Sequence, residues 1–333
     1  EMKQPSIRVK IIARGENSEP WASQTSESLG LWGNCKFLFG LDEQDYDWLV
    51  VIDDASRRNN AKPITLTCAD EHTLLVTTEP PTITHYGRAF TSQFAHVLTS
   101  QNPEALPHPN RIYSHTGNLW FNGHSFNNSS SSSLLPKTKE ISTVCSNKKQ
   151  KHTLHNDRFE FTQWLLDKIP SMDLFGHGTR FIENKYDALD AYKFHLAIEN
   201  HIAPHHWTEK LADSYLSNCI PIYYGCPNIS DYFPEGSYIP IDIYKPEEAL
   251  ETILAVLSDP DAYTKRYEAL QEARNLVLNK YNLIAMLDQF ISKHFDPIRE
   301  SRKKRLYGRK QMRLRHPSDL LEHIVWSTRK SLS

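Results

Sequence analysis

Two carboxylates, two cations and a helix start lie close together in the second half of this 333-residue chain. Glu199-Asn200 closes the apolar, strand-like run Lys193–Ile198, and Thr208-Glu209-Lys210 opens a helical stretch that reaches about Ser217. Thr208 is a good N-cap, and Glu209 in the first turn is favoured by the helix dipole. The bare N–H groups of such a terminus can take up a phosphate, with Lys210 adding charge. Arg158 falls in the first turn of another predicted helix, where a cation is electrostatically disfavoured unless an anion shares the site. Together these residues suit a phosphorylated ligand. Singly, each has a plainer reading: Thr208-Glu209 as a cap, Arg158 as a surface cation, Glu199 as a structural carboxylate.

The elements that must position them read as alternating strands and helices. Ile7–Ile12 alternates as a strand does, and Trp48-Leu49-Val50-Val51-Ile52 is a continuous apolar run ending in Asp53-Asp54, the pattern of a buried parallel strand. Leu74–Val76, ahead of Thr77-Thr78-Glu79-Pro80-Pro81, and Ala95–Thr99 continue the series. The rhythm restarts at Ile141–Cys145, a strand ending in Ser146-Asn147. A helix capped by Asn156-Asp157 carries Phe161, Trp164, Leu165 and Ile169. Asp173-Leu174-Phe175 runs into the turn Gly176-His177-Gly178, and Ile220–Gly225 is a further strand. Helical patterns cover Pro246–Ser258, Asp259–Lys280 and Leu283–His294. Strands alternating with helices in both halves predict two open parallel sheets. Ligands bind such sheets outside the carboxyl ends of their strands, which singles out Glu199-Asn200, Ser146-Asn147, the Gly176 turn and Glu79.

The arrangement resembles the signature of family 10 glycosyltransferases, the α1,3-fucosyltransferases. Tyr192-Lys193-Phe194-His195-Leu196-Ala197-Ile198-Glu199-Asn200 is followed after seven residues by Thr208-Glu209-Lys210-Leu211, then by Ile220-Pro221-Ile222-Tyr223-Tyr224-Gly225. The likeness extends through Ser146-Asn147, Arg158, Phe161 and the Gly176 turn, and is carried by residues 141–245. It implies a GT-B glycosyltransferase: two Rossmann-like α/β domains with parallel sheets facing a central cleft. It also implies inverting transfer of L-fucose from GDP-L-fucose to a hydroxyl of an acceptor glycan, in an α1,3 linkage, with no metal or other cofactor. By position, Glu209 resembles the residue that grips the ribose hydroxyls, and Lys210 and Arg158 the pair that holds the diphosphate. Glu199, Asn200, Ser146, Asn147, Gly176, His206 and Thr208 complete the donor set. Glu79, in the acidic motif after a strand, resembles the catalytic base. The physical demands agree: one carboxylate must take the acceptor proton, and positive groups must face the departing diphosphate. Base and donor residues fall in different domains, so closure would assemble the site. One departure stands out: His205-His206-Trp207 replaces the family's Asp-Tyr pair. Two rival readings are the same fold with another nucleotide sugar, and a non-catalytic glycan- or nucleotide-binding module.

The expected domains are 1–140, binding acceptor, and 141–297, binding the GDP-sugar, with a basic amphipathic tail at 298–333. The Ser-rich stretch 127–133 reads as an exposed loop near the junction. From Arg299 onward, eleven Lys and Arg face three Asp and Glu, although the whole chain has a net charge of −2. An acidic body thus carries a basic segment, followed by Leu320, Leu321, Ile324, Val325 and Trp326 at helical spacing. Residues 299–326 suit docking on a membrane surface, and the plainer reading packs the stripe on the body. Nucleic acid fits poorly, because aromatics are not interleaved with the basic run. No apolar run is long enough to span a membrane, and Glu1–Pro5 shows no apolar leader. The expected location is the cytoplasm, at the inner face of the membrane, with lipopolysaccharide or O-antigen as the glycolipid or oligosaccharide acceptor.

The remaining signals are weaker. The five cysteines form no CxxC pair and read as free buried thiols. Pro204 interrupts the helical face that a His201–His205 metal pair would need. Asp53-Asp54 and Asp187/Asp190 do not form a DxD metal motif, and the Gly176 turn is too short for a dinucleotide fingerprint.

Overall fold

The computed structural model describes residues 7–56, 62–131, 136–145, 154–176, 180 and 182–332. It divides into two compact units, Glu1–Leu119 with Asn282–Ser333, and Trp120–Tyr281.

In the first unit a largely parallel sheet runs in the order Leu31–Trp32, Cys35–Leu38, Ile7–Ala13, Trp48–Ile52, Thr73–Thr77, His96–Thr99, Arg111–Tyr113, with Glu16–Asn17 added beside Ile7–Ala13. The Trp48–Ile52 run explains why the sheet is covered on both sides. All five residues are buried. Trp48, Val50 and Ile52 join one apolar cluster while Leu49 and Val51 join another, as period-two side chains must. The last part of the chain supplies both covers. The helix Leu283–His294 lays Leu283, Ile284, Leu287 and Ile291 on the Trp48 side. Leu306 and Met312 pack on the Leu49 side with Tyr86, Phe90 and Phe94.

This changes the expected organisation. The helix Leu283–His294 has the bounds its periodicity gave, but it belongs to the first unit. Its N-cap Asn282 accepts from Ile284 N–H at 3.2 Å and from the Gln24 amide at 3.1 Å. The basic tail is anchored there as well. Arg305–Leu306 pairs with Ile64–Thr65, and Arg309 bonds Asp54 through its main-chain N–H and its guanidinium, both at 3.0 Å. Helices Arg309–Arg315 and Pro317–Leu332 follow. Asp319 is buried and accepts from Ala89 N–H, while the Trp326 indole donates to Pro81 O. Leu320, Leu321, Ile324 and Val325 stay exposed, so the apolar stripe is split between a docked Trp326 and an open row.

The second unit holds a five-stranded, all-parallel sheet in the order Asp173–Phe175, Lys139–Val144, Tyr192–Ile198, Ile220–Tyr224, Ile239–Pro240. Helices His155–Lys168, Glu209–Leu216, Pro246–Ser258 and Tyr267–Asn279 flank it. Three local readings need correction. The helix at 155–168 starts one residue ahead of Asn156, with Leu154 as its N-cap, so neither Asn156 nor Asp157 caps it. The long pattern Asp259–Lys280 is a short 3-10 turn, Thr264–Arg266, leading into the helix Tyr267–Asn279. The Ser-rich segment begins with a helix, Phe126–Ser130, capped by the Ser125 hydroxyl, and Ser129 is buried in it. Residues 132–135 lie outside the described set. All five cysteines are free and buried.

Candidate functional site

Strand direction delivers the polar residues of the second unit to one end of its sheet. Glu199 follows Ile198 directly, and its N–H bonds Tyr224 O at 2.9 Å, which continues the ladder one step past the strand. Its side chain is fully buried yet well partnered. It accepts from Thr208 N–H at 2.9 Å, from the Thr208 hydroxyl at 2.7 Å and from the Tyr223 hydroxyl at 3.4 Å. The Thr208 hydroxyl in turn accepts from Lys210 N–H at 3.3 Å, confirming it as the N-cap of Glu209–Leu216.

Lys210 sits between two carboxylates. Its ammonium is 3.0 Å from Glu209 Oε1, 3.8 Å from Glu199 Oε2 and 3.3 Å from Thr208 Oγ1. Burial pushes Glu199 above its ordinary range, and Lys210 partly opposes this. Burial also pushes Glu209 upward, but Lys210 and Lys185 override it and hold the carboxyl at about 2. For Lys210, burial is outweighed by Glu209 and Glu199, so the ammonium is held above its usual value. The side chains of Lys210 and Glu209 remain 19% and 25% exposed, so a ligand can reach them.

Arg158 stands on the first turn of His155–Lys168 and spans two strand ends, donating to Asn200 Oδ1 at 3.1 Å and to Val144 O. Its other N–H donors have no partner among the described residues. Gly176 has φ +129°, and a Cβ there would lie 2.4 Å from Cys145 O, so the turn after Asp173–Phe175 requires glycine. His206 is buried, and burial with the nearby Lys210 lowers it to about 4, leaving a neutral ring at neutral pH. Its neighbour His205 takes φ +64° and bonds the Tyr232 hydroxyl through Nδ1 at 2.5 Å. Ser146, Asn147, His177 and Gly178 lie outside the described residues.

In the first unit, Glu79 follows the strand Thr73–Thr77 and accepts from Arg14 at 2.5 Å, with its side chain 30% exposed. The residue that fixes this loop is Asp53. It is buried at φ +64°, a conformation Asp tolerates better than most residues. One carboxylate oxygen accepts from Thr78 N–H at 2.7 Å and the Tyr86 hydroxyl at 2.6 Å; the other accepts from the Thr78 hydroxyl at 2.5 Å and Arg14 Nε at 3.2 Å. Gln101 holds Glu79 O at 2.9 Å. Arg14, Asp53, Tyr86, Tyr223 and Gly225 are thus working residues to which the sequence reading gave no role. Asp53 had a usable signal in its place at the carboxyl end of an apolar strand, and Tyr223 and Gly225 in the recognised motif.

Gly225 makes room for Glu199. A Cβ at this position would stand 2.4 Å from the Tyr223 hydroxyl and 2.5 Å from Glu199 Cγ. No side chain fits beside the buried carboxylate.

Comparison with known proteins places this geometry. Residues 134–293 match the model of glycosyltransferase family 10 (fucosyltransferase), C-terminal part. An α-(1,3)-fucosyltransferase of Helicobacter pylori is 35% identical over 83 residues, 25% of this chain and 17% of that protein. α-(1,3)-Fucosyltransferase B of Drosophila melanogaster is 31% identical over 101 residues, 29% of this chain and 23% of that protein. These matches span less than a quarter of either relative's length. Among solved structures, an α1,3-fucosyltransferase with GDP-fucose superposes with a TM-score of 0.55 at 16% identity, over 91% of this chain and 94% of that one. An α-glucosyltransferase in complex with UDP-glucose and DNA gives 0.52 at 10% identity, over 85% and 98%. At these identities the likeness is one of fold, and that fold is the GT-B class.

Proposed function

We propose that this chain, whose residues 134–293 match the glycosyltransferase family 10 (fucosyltransferase) C-terminal model, is an inverting glycosyltransferase that moves L-fucose from GDP-L-fucose to a hydroxyl of an acceptor glycan, in an α1,3 linkage. The observation that carries this reading is the cluster of Glu199, Thr208, Glu209 and Lys210 at a helix start, with Arg158, from the first turn of His155–Lys168, bonded to Asn200 beside it. An ionised, partly exposed Glu209 suits the ribose hydroxyls. Lys210 and Arg158 supply positive charge where negative charge builds on the departing diphosphate, the largest electrostatic demand of the reaction. Glu199 is too deeply buried and too fully bonded to act as a base; it fixes Thr208 and Lys210. Glu79 takes the acceptor proton, with Arg14 and Asp53 holding its loop in place. This chemistry draws on side chains alone and calls for no metal.

The acceptor in this reading is a lipopolysaccharide or O-antigen type glycolipid at the inner membrane face. The exposed row Leu320, Leu321, Ile324 and Val325, beside the basic run, supports contact with anionic lipid. Among the described residues no helix is long and apolar enough to cross a membrane. Co-sedimentation with anionic vesicles, lost when Leu321 and Ile324 are both changed to Ser, would bear the contact out; equal sedimentation of the variant would sink it.

Thermal shift with GDP, GDP-fucose, UDP and CMP at matched concentrations tests the donor. At about 100 times its Kd a ligand adds roughly 2.7 kcal/mol of stability. A response to GDP and GDP-fucose alone, lost in Lys210→Ala, is the expected result. A response to UDP or CMP but not GDP would replace the donor, and no response to any nucleotide would favour a non-catalytic module.

A further inference from the structure

Residues 78–87 carry Glu79 but form neither strand nor helix, and Pro80 and Pro81 have no N–H to offer a sheet. Carbonyl groups taken out of water in such a loop need donors from elsewhere. Glu79 O and Thr84 O accept from the Gln101 amide at 2.9 and 3.4 Å, and Pro80 O accepts from Ile83 and Thr84 N–H at 2.9 and 3.0 Å. Three more carbonyls are met by the last part of the chain. Pro81 O accepts from the Trp326 indole at 2.8 Å, Ile83 O from the Lys330 ammonium at 3.1 Å and His85 O from Arg313 at 3.0 Å. Just past the loop, Ala89 N–H donates to Asp319 at 2.8 Å.

The helix Pro317–Leu332 is patterned for this contact. Asp319, His323, Trp326 and Lys330 recur at i, i+4, i+7 and i+11, so they share one face. On an ordinary covering helix such a stripe is apolar. Here it is mostly polar, and three of its four groups bond main-chain atoms of the segment 81–89. The fourth, His323, lies 3.1 Å from an Arg313 nitrogen and in ring contact with His85 and Trp326, at 6.2 and 5.5 Å. Asp319 is only 4% exposed, which marks a fitted seat.

The seat reaches Glu79 by a short route. Tyr86 follows the clamped His85, and its hydroxyl donates to Asp53 at 2.6 Å and accepts from Glu79 N–H at 3.4 Å. The Arg309 guanidinium, bonded to Asp54, lies 5.3 Å from the centre of the Tyr86 ring. Asp53 and Gln101 thus hold the start of the loop, while the tail holds its middle and its return.

We propose that Trp326, Lys330 and Arg313 are positioning residues for the reaction, strapping the loop 78–87 so that the Glu79 carboxylate meets the acceptor hydroxyl. This rests on the reading of Glu79 as the base. A base must stay within hydrogen-bond reach of the proton it takes, so a loosened loop costs turnover. Donor binding, which belongs to the second unit, is untouched.

Hydrogen exchange by mass spectrometry on the full chain reads the loop directly. In the double variant Trp326→Phe with Lys330→Met, which removes two donors and keeps most of the bulk, segment 78–89 should exchange at least tenfold faster. Trp48–Ile52 and Glu209–Leu216 should exchange as in the parent. Trp326→Phe alone, a gentler change, should speed the same segment severalfold. Release of GDP from GDP-fucose to water, standing in for the glycan, reads the base. Counted per GDP-binding chain, kcat should fall at least tenfold in the double variant with KM for GDP-fucose unchanged. Exchange of 78–89 unchanged in both variants would overturn the proposal. So would faster exchange with kcat at the parent's value, where Glu79→Gln has lost release. Undiminished release in Glu79→Gln would overturn the base assignment and the proposal with it; the exchange data, which need no base, tell that failure from failure of the strap.

Discussion

Thr208 is fastened to Glu199 twice, through its N–H at 2.9 Å and its hydroxyl at 2.7 Å, so the helix start and the strand end move as one piece. The same hydroxyl accepts from Lys210 N–H and lies 3.3 Å from its ammonium. Thr208→Val keeps the shape and removes the oxygen. Loss of a helix cap costs about 1–2 kcal/mol, and the fully buried Glu199 carboxylate loses its shortest bond as well. Urea unfolding should show that loss, and nucleotide affinity should fall at least tenfold as Lys210 loosens. Thr208→Ser should restore both. A Val variant that binds nucleotide as the parent does would show that the cap does not position Lys210.

Gly225 has no room for a methyl group, with Tyr223 Oη and Glu199 Cγ at 2.4 and 2.5 Å from the atom it would add. Neither neighbour can retreat freely, since Tyr223 also accepts from Cys226 N–H at 3.0 Å and Glu199 is held by Thr208. Overpacking of this kind costs roughly 1–3 kcal/mol. Gly225→Ala should therefore fold with a lowered melting temperature and lose nucleotide binding out of proportion to that loss. Binding that falls only as far as the folded fraction does would contradict this account.

Asp53 holds the loop that carries Glu79, but the two residues do different work, and substitution separates them. Glu79→Gln keeps an acceptor for Arg14 and removes the base. It should lower turnover by about 100- to 10,000-fold with nucleotide affinity and melting temperature unchanged. Asp53→Ala leaves Thr78 N–H, both hydroxyls and Arg14 Nε without their acceptor, while Arg14 keeps Glu79. Leaving buried donors unsatisfied costs about 1–3 kcal/mol each, so calorimetry should show a clear drop in stability along with the lost turnover. Full turnover in Glu79→Gln would move the base elsewhere.

Much of this architecture is legible from residue order, for identifiable reasons. Trp48–Ile52 is apolar on both faces because both faces are covered, and such a run announces a buried parallel strand. Thr208-Glu209-Lys210 announces its helix start by local chemistry alone. The missed features depend on contacts between residues far apart in sequence. Asp53 reads as half of a poor metal motif until Thr78 and Tyr86 arrive at its oxygens. The tail reads as a basic amphipathic segment for membrane or body alike, because nothing local shows that Leu306 and Met312 fill the far face of the first sheet. Periodicity gave the helix Leu283–His294 its bounds but could not say which unit its apolar face would cover. Gly225 sits inside the recognised motif, yet only the position of Glu199 Cγ shows why it must be glycine.

His206 should give the protein a distinctive acid sensitivity. Its ring is buried beside Lys210, and burial with that charge lowers its pKa to about 4 from the usual 6.5. The folded ring therefore stays neutral where the unfolded one takes a proton. Stability is fully present above the unfolded value, near pH 6.5, and declines as pH falls toward 4, because only the unfolded state gains protons in that window. Between pH 7 and pH 5 this single group should account for about 2 kcal/mol. His201, in ring contact with it at 5.2 Å and likewise lowered to about 4, acts in the same direction. Glu209, held at about 2, loses its own contribution only at lower pH, below its ordinary 4.5, so the two effects separate along the pH axis. Urea unfolding at pH 7, 6 and 5 should show stability falling steadily in the parent. His206→Gln, neutral and polar throughout, should flatten that fall, while His201, His195 and His323, which burial also lowers, maintain the rest. An equally steep fall in the variant would mean that the ring takes up a proton in the folded protein, and that burial beside Lys210 does not hold it neutral.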